Sequence, residues 1–246
     1  MIMQSLDQTR NALVTGGSRG LGRSICAGLA EMGCNVVVNY VSDASAAAET
    51  VSECEAVGGK AVAVQADVSK EDDVASLVAA TSDAYGPIDI LVNNAGIAPI
   101  QSVFEADIET YDKVMAVNLR SAFMMTEAVI KEMAERKWGR LVFMSSIAAR
   151  IGGMVGGAYA TSKAGTDGLM HHYAAHLREY GITSNAISAA LIDTDIFAGA
   201  KLPPVEQMPM GRMGRPEEIG MVAQMMVANG FLTGQTIQVN AGRYMT

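Results

Sequence analysis

Thr15-Gly16-Gly17-Ser18-Arg19-Gly20-Leu21-Gly22 decides how the rest of this chain folds. The apolar run before it, Ala12-Leu13-Val14, predicts a buried strand. The stretch after it, Ser24-Ile25-Cys26-Ala27-Gly28-Leu29-Ala30, has helical apolar spacing and good helix formers. A strand that breaks into glycines and resumes as a helix is a phosphate-binding turn. Glycine lets the backbone approach an anion closely, and the free N–H groups and positive dipole end of the helix favour its charge. Gly16, Gly20 and Gly22 give a T-G-x-x-x-G-x-G spacing, not the commoner dinucleotide fingerprint. A glycine-rich turn of this kind can also bind nothing, so the assignment depends on the chain downstream.

Outward from that turn, strand and helix patterns alternate. Asn35 to Tyr40, Ala61 to Ala66, Ile88 to Val92, Arg140 to Ser146, Thr183 to Ala189 and Gln235 to Asn240 read as further strands. Helical stretches run from Ala44 to Val57, from a Ser69 cap toward Tyr85, from about Glu109 to Arg136, from about Ala158 to Tyr180, and onward from Pro216. A short helical piece is expected near Val103-Phe104. The expected fold is α/β: one domain over 1–246, a doubly wound Rossmann sheet of seven parallel strands flanked by helices. In such sheets the ligand lies beyond the carboxyl ends of the strands, at the point where their order reverses.

Composition agrees. Half of the 246 residues are apolar and 18% are charged, which suits a sheet covered on both faces. A net charge of −8 argues against a nucleic-acid footprint. The three cysteines, Cys26, Cys34 and Cys54, have no paired spacing and read as free buried thiols. Met1 to Arg10 has no signal-peptide core, and no apolar run is long enough to span a bilayer, so a cytoplasmic chain is expected.

Tyr159 and Lys163 stand four apart on a predicted helix and therefore share a face, about 6 Å apart along the axis. A free phenol, with pKa about 10, is a poor acid–base group at neutral pH. An adjacent ammonium stabilises phenolate, so the pair can exchange a proton with a substrate oxygen. Ser146, thirteen positions earlier at a strand end, supplies a hydroxyl for a carbonyl oxygen where negative charge develops. Each feature alone has a bland explanation, as a surface pair or a turn serine.

Together with Asn93-Asn94-Ala95-Gly96 and Asn118, in that order along the chain, these motifs resemble the short-chain dehydrogenase/reductase family. The resemblance covers nearly the whole chain. It implies Tyr159 as general acid in reduction and base in oxidation, and Lys163 as the group that tunes Tyr159 and binds the nicotinamide ribose. It implies Ser146 as the residue that polarises the carbonyl, and Asn118 as the holder of a relay water. It also implies that Gly16, Ser18, Arg19, Gly20, Leu21 and Gly22 hold the cofactor, with Asn39 and Tyr40 at the end of the second strand. Asp67 and Val68 would meet adenine, Asn94, Ala95 and Gly96 the adenine ribose, and Ile192 and Thr194 complete the cofactor set.

The cofactor expected is NADP(H). NAD enzymes usually place a carboxylate at the end of the second strand, where this chain has Asn39-Tyr40-Val41-Ser42 and no acid before Asp43. Arg19, inside the glycine turn, is placed to meet a 2′-phosphate. Within the family the chain is most similar to 3-oxoacyl-acyl-carrier-protein reductases, on Asn185-Ala186-Ile187, Ile192 to Asp195, Gly211 to Ile219 and Asn240 to Met245. That implies a ketone or acyl-thioester substrate, an acyl carrier protein as partner with Arg136, Lys137 and Arg140 as docking residues, and a homotetramer. No nucleic acid, membrane or metal is implied. Three departures stand out: Tyr180 where carrier-protein reductases have arginine, Ala189-Ala190 in place of Pro-Gly, and a short lid near 193–215. They leave open a steroid, sugar or xenobiotic ketone, and a non-catalytic NADP(H)-binding sensor. Methionines 154, 208, 210, 213, 221, 225 and 226 suit a permissive pocket but more simply core and subunit-interface packing, and His171, His172 and His176 read as surface or interface histidines.

Overall fold

The computed structural model describes residues 6–194 and 204–245. Its frame is a seven-stranded parallel sheet in the order β3-β2-β1-β4-β5-β6-β7. The strands are β1 (Asn11–Val14), β2 (Asn35–Tyr40), β3 (Lys60–Gln65), β4 (Ile90–Asn93), β5 (Gly139–Ser146), β6 (Ile182–Ala189) and β7 (Thr236–Val239). Among the described residues eight α-helices accompany them: α1 (Gly20–Glu31), α2 (Ala44–Ala56), α3 (Glu71–Tyr85), α4 (Ile108–Met115), α5 (Ser121–Glu135), α6 (Ala148–Ile151), α7 (Gly157–Leu177) and α8 (Pro216–Ala228). Strand order reverses between β1 and β4, so the carboxyl ends of those two strands open the ligand crevice.

The central strands are apolar on both faces because helices cover both. On one face α1 and α8 close over Val14, Val36, Val38, Ile90 and Val92. On the other α3, α5 and α7 close over Leu13, Val37, Leu91, Leu141 and Phe143. The three cysteines are free and buried. Register carries the carbonyl end of the site across the sheet: Ser146 pairs with Ala189, and Ala189 pairs with Val239.

The structure departs from the sequence-based expectations in three places. No helix forms near Val103-Phe104; that segment is a turn with both side chains exposed. Ser69 does not cap α3. Lys70 is the N-cap residue, and the Ser69 hydroxyl donates instead to Asp67 Oδ1 at 2.7 Å. The long helix expected over 109–136 is not uniform, because Ala116–Arg120 widens into a π turn between α4 and α5. A π turn inserts one extra residue into the helical ladder and turns a side chain out of register. The buried residue of this turn is Asn118.

Candidate active site

The glycine turn is held from three sides. Asn39 Oδ1 accepts from Gly16 N–H at 3.1 Å, and its Nδ2 donates to the Ala66 carbonyl at 3.0 Å. Asn94 Nδ2 donates to the carbonyls of Thr15 and Gly16, each at 2.9 Å. Thr15 Oγ1 accepts from the N–H groups of Asn94 and Ala95, each at 3.0 Å. Gly16 lies in the left-handed region at φ +60°, and a Cβ on Gly22 would stand 2.2 Å from the Gly16 carbonyl oxygen. Glycine is needed at both positions, one for conformation and one for close approach.

Arg19 is the N-cap residue of α1. No side chain caps that helix and its first turn holds no acid, so its N–H groups and positive dipole end face the crevice without a competing carboxylate. Arg19 is exposed, and no ion pair is found for it among the described residues. Arg23, one turn on, is spent on Glu49, Glu53 and the Ser18 carbonyl. Asp43 caps α2 by accepting from Ala46 N–H at 2.9 Å. These features fit a dinucleotide phosphate group, with Arg19 as the cation that faces it.

From the turn, a cleft of about 780 Å³ runs to the ends of β5 and β6. It brings together Gly16, Ser18, Arg19, Gly20, Leu21, Gly22, Tyr40, Asp67, Val68, Asn94, Ala95, Gly96, Ser146, Tyr159, Lys163, Ile192 and Thr194. Two of the residues singled out in the sequence do not line it. Asn39 lies behind the turn, as described. Asn118 is buried, accepting from Ile97 N–H at 2.8 Å and donating to the Ile97 carbonyl at 3.0 Å and to Ser162 Oγ at 3.2 Å. Its side chain thus fixes the segment after Gly96. Residues 195–203, including Asp195 and Pro203 of the expected lid, lie outside the described residues.

Tyr159 sits in the first turn of α7, a helix with no side-chain cap and no acid at its start. Only 7% of it is exposed. Lys163, 5% exposed, places Nζ 5.7 Å from the centre of the Tyr159 ring and donates to the Met144 carbonyl at 2.7 Å. Burial raises the Tyr159 phenol above its ordinary value, and the nearby Ser146 hydroxyl draws it back. Burial also pulls Lys163 down to about 8, against a raising effect from Asp167. The sequence reading expects a phenol made more acidic by its neighbour; in the structure desolvation is the larger effect on both groups. Lys163 nonetheless stays largely protonated at neutral pH. Ser146 Oγ accepts from Ala148 N–H at 3.2 Å, which leaves its proton free to donate into the cleft.

Beyond the residues singled out in sequence, Lys113, Val117, Val155, Leu191 and Arg243 also line the cleft. Arg243 lies four residues past β7, and only the strand register brings it there. Leu191 takes φ +52° just after the Ala189-Ala190 pair. Its carbonyl accepts from Gly214 N–H at 3.0 Å, and the Gly214 carbonyl accepts from Asp193 N–H at 2.9 Å. This loop is therefore clamped without Pro-Gly.

The expected docking residues are elsewhere. Arg136, Lys137 and Arg140 flank the start of β5, about 20 Å along the strand from Ser146. Arg140 is buried with its guanidinium 4.3 Å from the Trp138 ring, and Arg136 pairs with Asp89. Arg136 and Arg140 stabilise the far end of the sheet, and none of the three lies at the cleft mouth. Of the methionines, Met154 lines the cleft, Met226 is in the core, and Met210 and Met221 are exposed. Among the described residues no cluster of three or more His, Cys, Asp or Glu side chains could hold a metal ion, and no helix is long and apolar enough to cross a membrane.

Comparison with known proteins agrees with this geometry. The family model described as short chain dehydrogenase matches residues 10–202. A 3-oxoacyl-[acyl-carrier-protein] reductase of Synechocystis sp. is 38% identical over 238 residues, covering 95% of this chain and 96% of its own. The crystal structure of a 3-oxoacyl-[acyl-carrier protein] reductase with bound NAD from Brucella melitensis superposes with a TM-score of 0.88 at 33% identity, covering 100% of this chain and 95% of the other. A short-chain type dehydrogenase/reductase from Mycobacterium marinum gives a TM-score of 0.90 at 28% identity, over 98% and 97% of the two chains. With the family model matched over most of the chain and the sheet order that of a doubly wound fold, the chain belongs to the short-chain dehydrogenase/reductase family, oxidoreductases that bind a nicotinamide cofactor.

Proposed function

We propose that this protein is an NADP(H)-dependent carbonyl reductase, with Tyr159 as proton donor, acting on a 3-oxoacyl thioester or a similar ketone. One observation carries the reading: Ser146, Tyr159 and Lys163 converge on the same cleft as the uncapped helix end and Arg19. When bound, the nicotinamide supplies or accepts the hydride. The protein does the rest. Ser146 donates to the substrate carbonyl oxygen. The Tyr159 phenol, kept protonated by burial, passes its proton to that oxygen. The phenolate left behind is stabilised by the Lys163 ammonium and by the positive end of α7, which has no acid in its first turn. Arg19, with no acid at the end of β2, favours a 2′-phosphate over a 2′-hydroxyl.

The thioester preference is supported by the relatives' substrates rather than by a docking patch, since Arg136, Lys137 and Arg140 face away. The chain would act as one catalytic domain over 1–246, with residues 193–215 as its lid. A homotetramer is supported by a second groove of about 620 Å³ between the 108–135 helical region and α7. Met115, Leu119, Phe123 and Leu169 line it, and Phe123 is half exposed. Light scattering tests the assembly.

The deciding experiment is Tyr159→Phe with a ketone panel that includes acetoacetyl-CoA, a carrier-bound acyl group and both reduced cofactors. Turnover should be abolished while NADPH binding stays within about threefold. Retained turnover overturns the assignment.

A further inference from the structure

We propose, on the reading above, that Asp167 is a positioning residue of this active site: its buried carboxylate keeps the Lys163 side chain cationic, and through Arg150 it ties the strand end bearing Ser146 to α7. Tyr159, Lys163 and Asp167 follow one another at i, i+4 and i+8, so they form one stripe along the sheet-facing side of α7. All three are buried, Asp167 with 5% of its surface exposed. A carboxylate so buried is strongly unfavourable unless paired. Two groups pair with it: Arg150 Nη2 lies 3.4 Å from Oδ2, and the Thr236 hydroxyl donates to Oδ1 at 3.5 Å. Arg150 is 43% exposed, so water screens that pair more than it screens the buried step from Asp167 to Lys163.

The surroundings of Lys163 leave Asp167 as the charge that acts on it. From α7 itself the Tyr159 ring lies 5.7 Å from the ammonium, and Asp167 stands one helical turn beyond Lys163 without a direct ion pair to it. β5 contributes the Met144 carbonyl and the Ser145 hydroxyl, which donates to the Lys163 carbonyl at 3.4 Å. The turn after β4 contributes Gly96, and the π turn contributes the Asn118 side chain, both neutral. Ser188 of β6 pairs in register with Ser145 and is also neutral. Its hydroxyl is buried without a partner. α6 contributes Arg150, which Asp167 holds. Glu127 of α5 is bound to Tyr173, about 15 Å further along α7. Among the described residues Asp167 is the one charge found to oppose the effect of burial on Lys163.

The second task follows from sequence distance. Arg150 is four residues past Ser146, on the short helix α6. Its bond to Asp167 bridges the segment that carries the serine to the helix that carries the tyrosine and lysine.

The two tasks separate experimentally. Lys163 Nζ is titrated by ¹⁵N NMR in the wild type, Asp167→Asn, Asp167→Glu and Arg150→Met, with Lys163→Met identifying the signal. Asp167→Asn should lower the Lys163 midpoint by about one pH unit or more. Asp167→Glu should restore it. Arg150→Met, which frees the carboxylate from its other partner, should leave the midpoint unchanged or raise it. In kinetics, the alkaline limb of kcat/KM for reduction should move with the midpoint, and Asp167→Asn at pH 8 should lose about fivefold in kcat/KM. A midpoint that does not fall in Asp167→Asn overturns the proposal. So does a fall in Arg150→Met, which needs no Asp167 variant to fold, because the Lys163 midpoint would then follow the tether and not the Asp167 charge. The NMR midpoints need no turnover, so a failure of the ketone-reductase reading would show in the substrate panel and leave this result to stand or fall alone.

Discussion

Lys163→Met removes a buried charge while keeping side-chain length, and its effect can be sized from the structure. The ammonium lies 5.7 Å from the centre of the Tyr159 ring. With the phenolate charge taken at the ring centre and an effective dielectric of about 20, a unit charge pair at that separation is worth about 3 kcal/mol. That stabilisation exists only when the phenol has given up its proton, so it belongs to the transition state and not to the bound ketone. Its loss should lower kcat roughly 100-fold. The assay is the initial rate of reduced-cofactor oxidation at saturating cofactor and ketone, because Lys163 is also expected to hold the nicotinamide ribose and KM will move for that separate reason. The pH profile supplies an independent check. Lys163 is pulled down to about 8, so it is charged below that pH and neutral above it. Wild-type reduction should therefore fall as pH rises through about 8, and the variant should lack that limb. A variant within threefold of wild-type kcat, with the alkaline limb unmoved, would refute the electrostatic role.

Arg19→Ala should raise KM for NADPH by roughly 10- to 100-fold and leave NADH nearly unchanged, since an exposed guanidinium contributes most to a dianionic phosphate; steady-state kinetics with both cofactors decide it. Gly22→Ala would put a Cβ 2.2 Å from the Gly16 carbonyl oxygen. The turn must then shift, and cofactor affinity measured by fluorescence titration should drop at least about tenfold, with a loss of stability of about 2 kcal/mol or more. Lys137 follows α5 at φ +53°, with Trp138 N–H donating to the Met133 carbonyl and Lys137 N–H to that of Ala134. This is a helix end that favours glycine, so Lys137→Gly should stabilise the fold by about 1 kcal/mol. It should leave kcat/KM with a carrier-bound substrate unchanged, because Lys137 is at the far end of the sheet.

What the linear chain determines here is whatever depends on neighbours in sequence. Apolar runs broken by glycines specify the strand ends, and the spacing of Gly16, Gly20 and Gly22 specifies a helix entry open to an anion. The four-residue step from Tyr159 to Lys163 specifies a shared face, because the helical repeat allows nothing else. Placement across the sheet was not legible in that way. Arg136 and Arg140 look available as charges in sequence, yet parallel register places them a full strand length from Ser146, and Trp138 and Asp89 absorb them. Asn118 lies on a predicted helix, but it falls in the π widening of Ala116–Arg120, which no local pattern announces. Arg243 reaches the cleft only because Val239 pairs with Ala189 and Ala189 with Ser146. Even the acid–base pair was half visible. Contiguous spacing brought phenol and amine together, but their proton affinities follow from how much water the packed helices exclude, and only the assembled tertiary structure determines that.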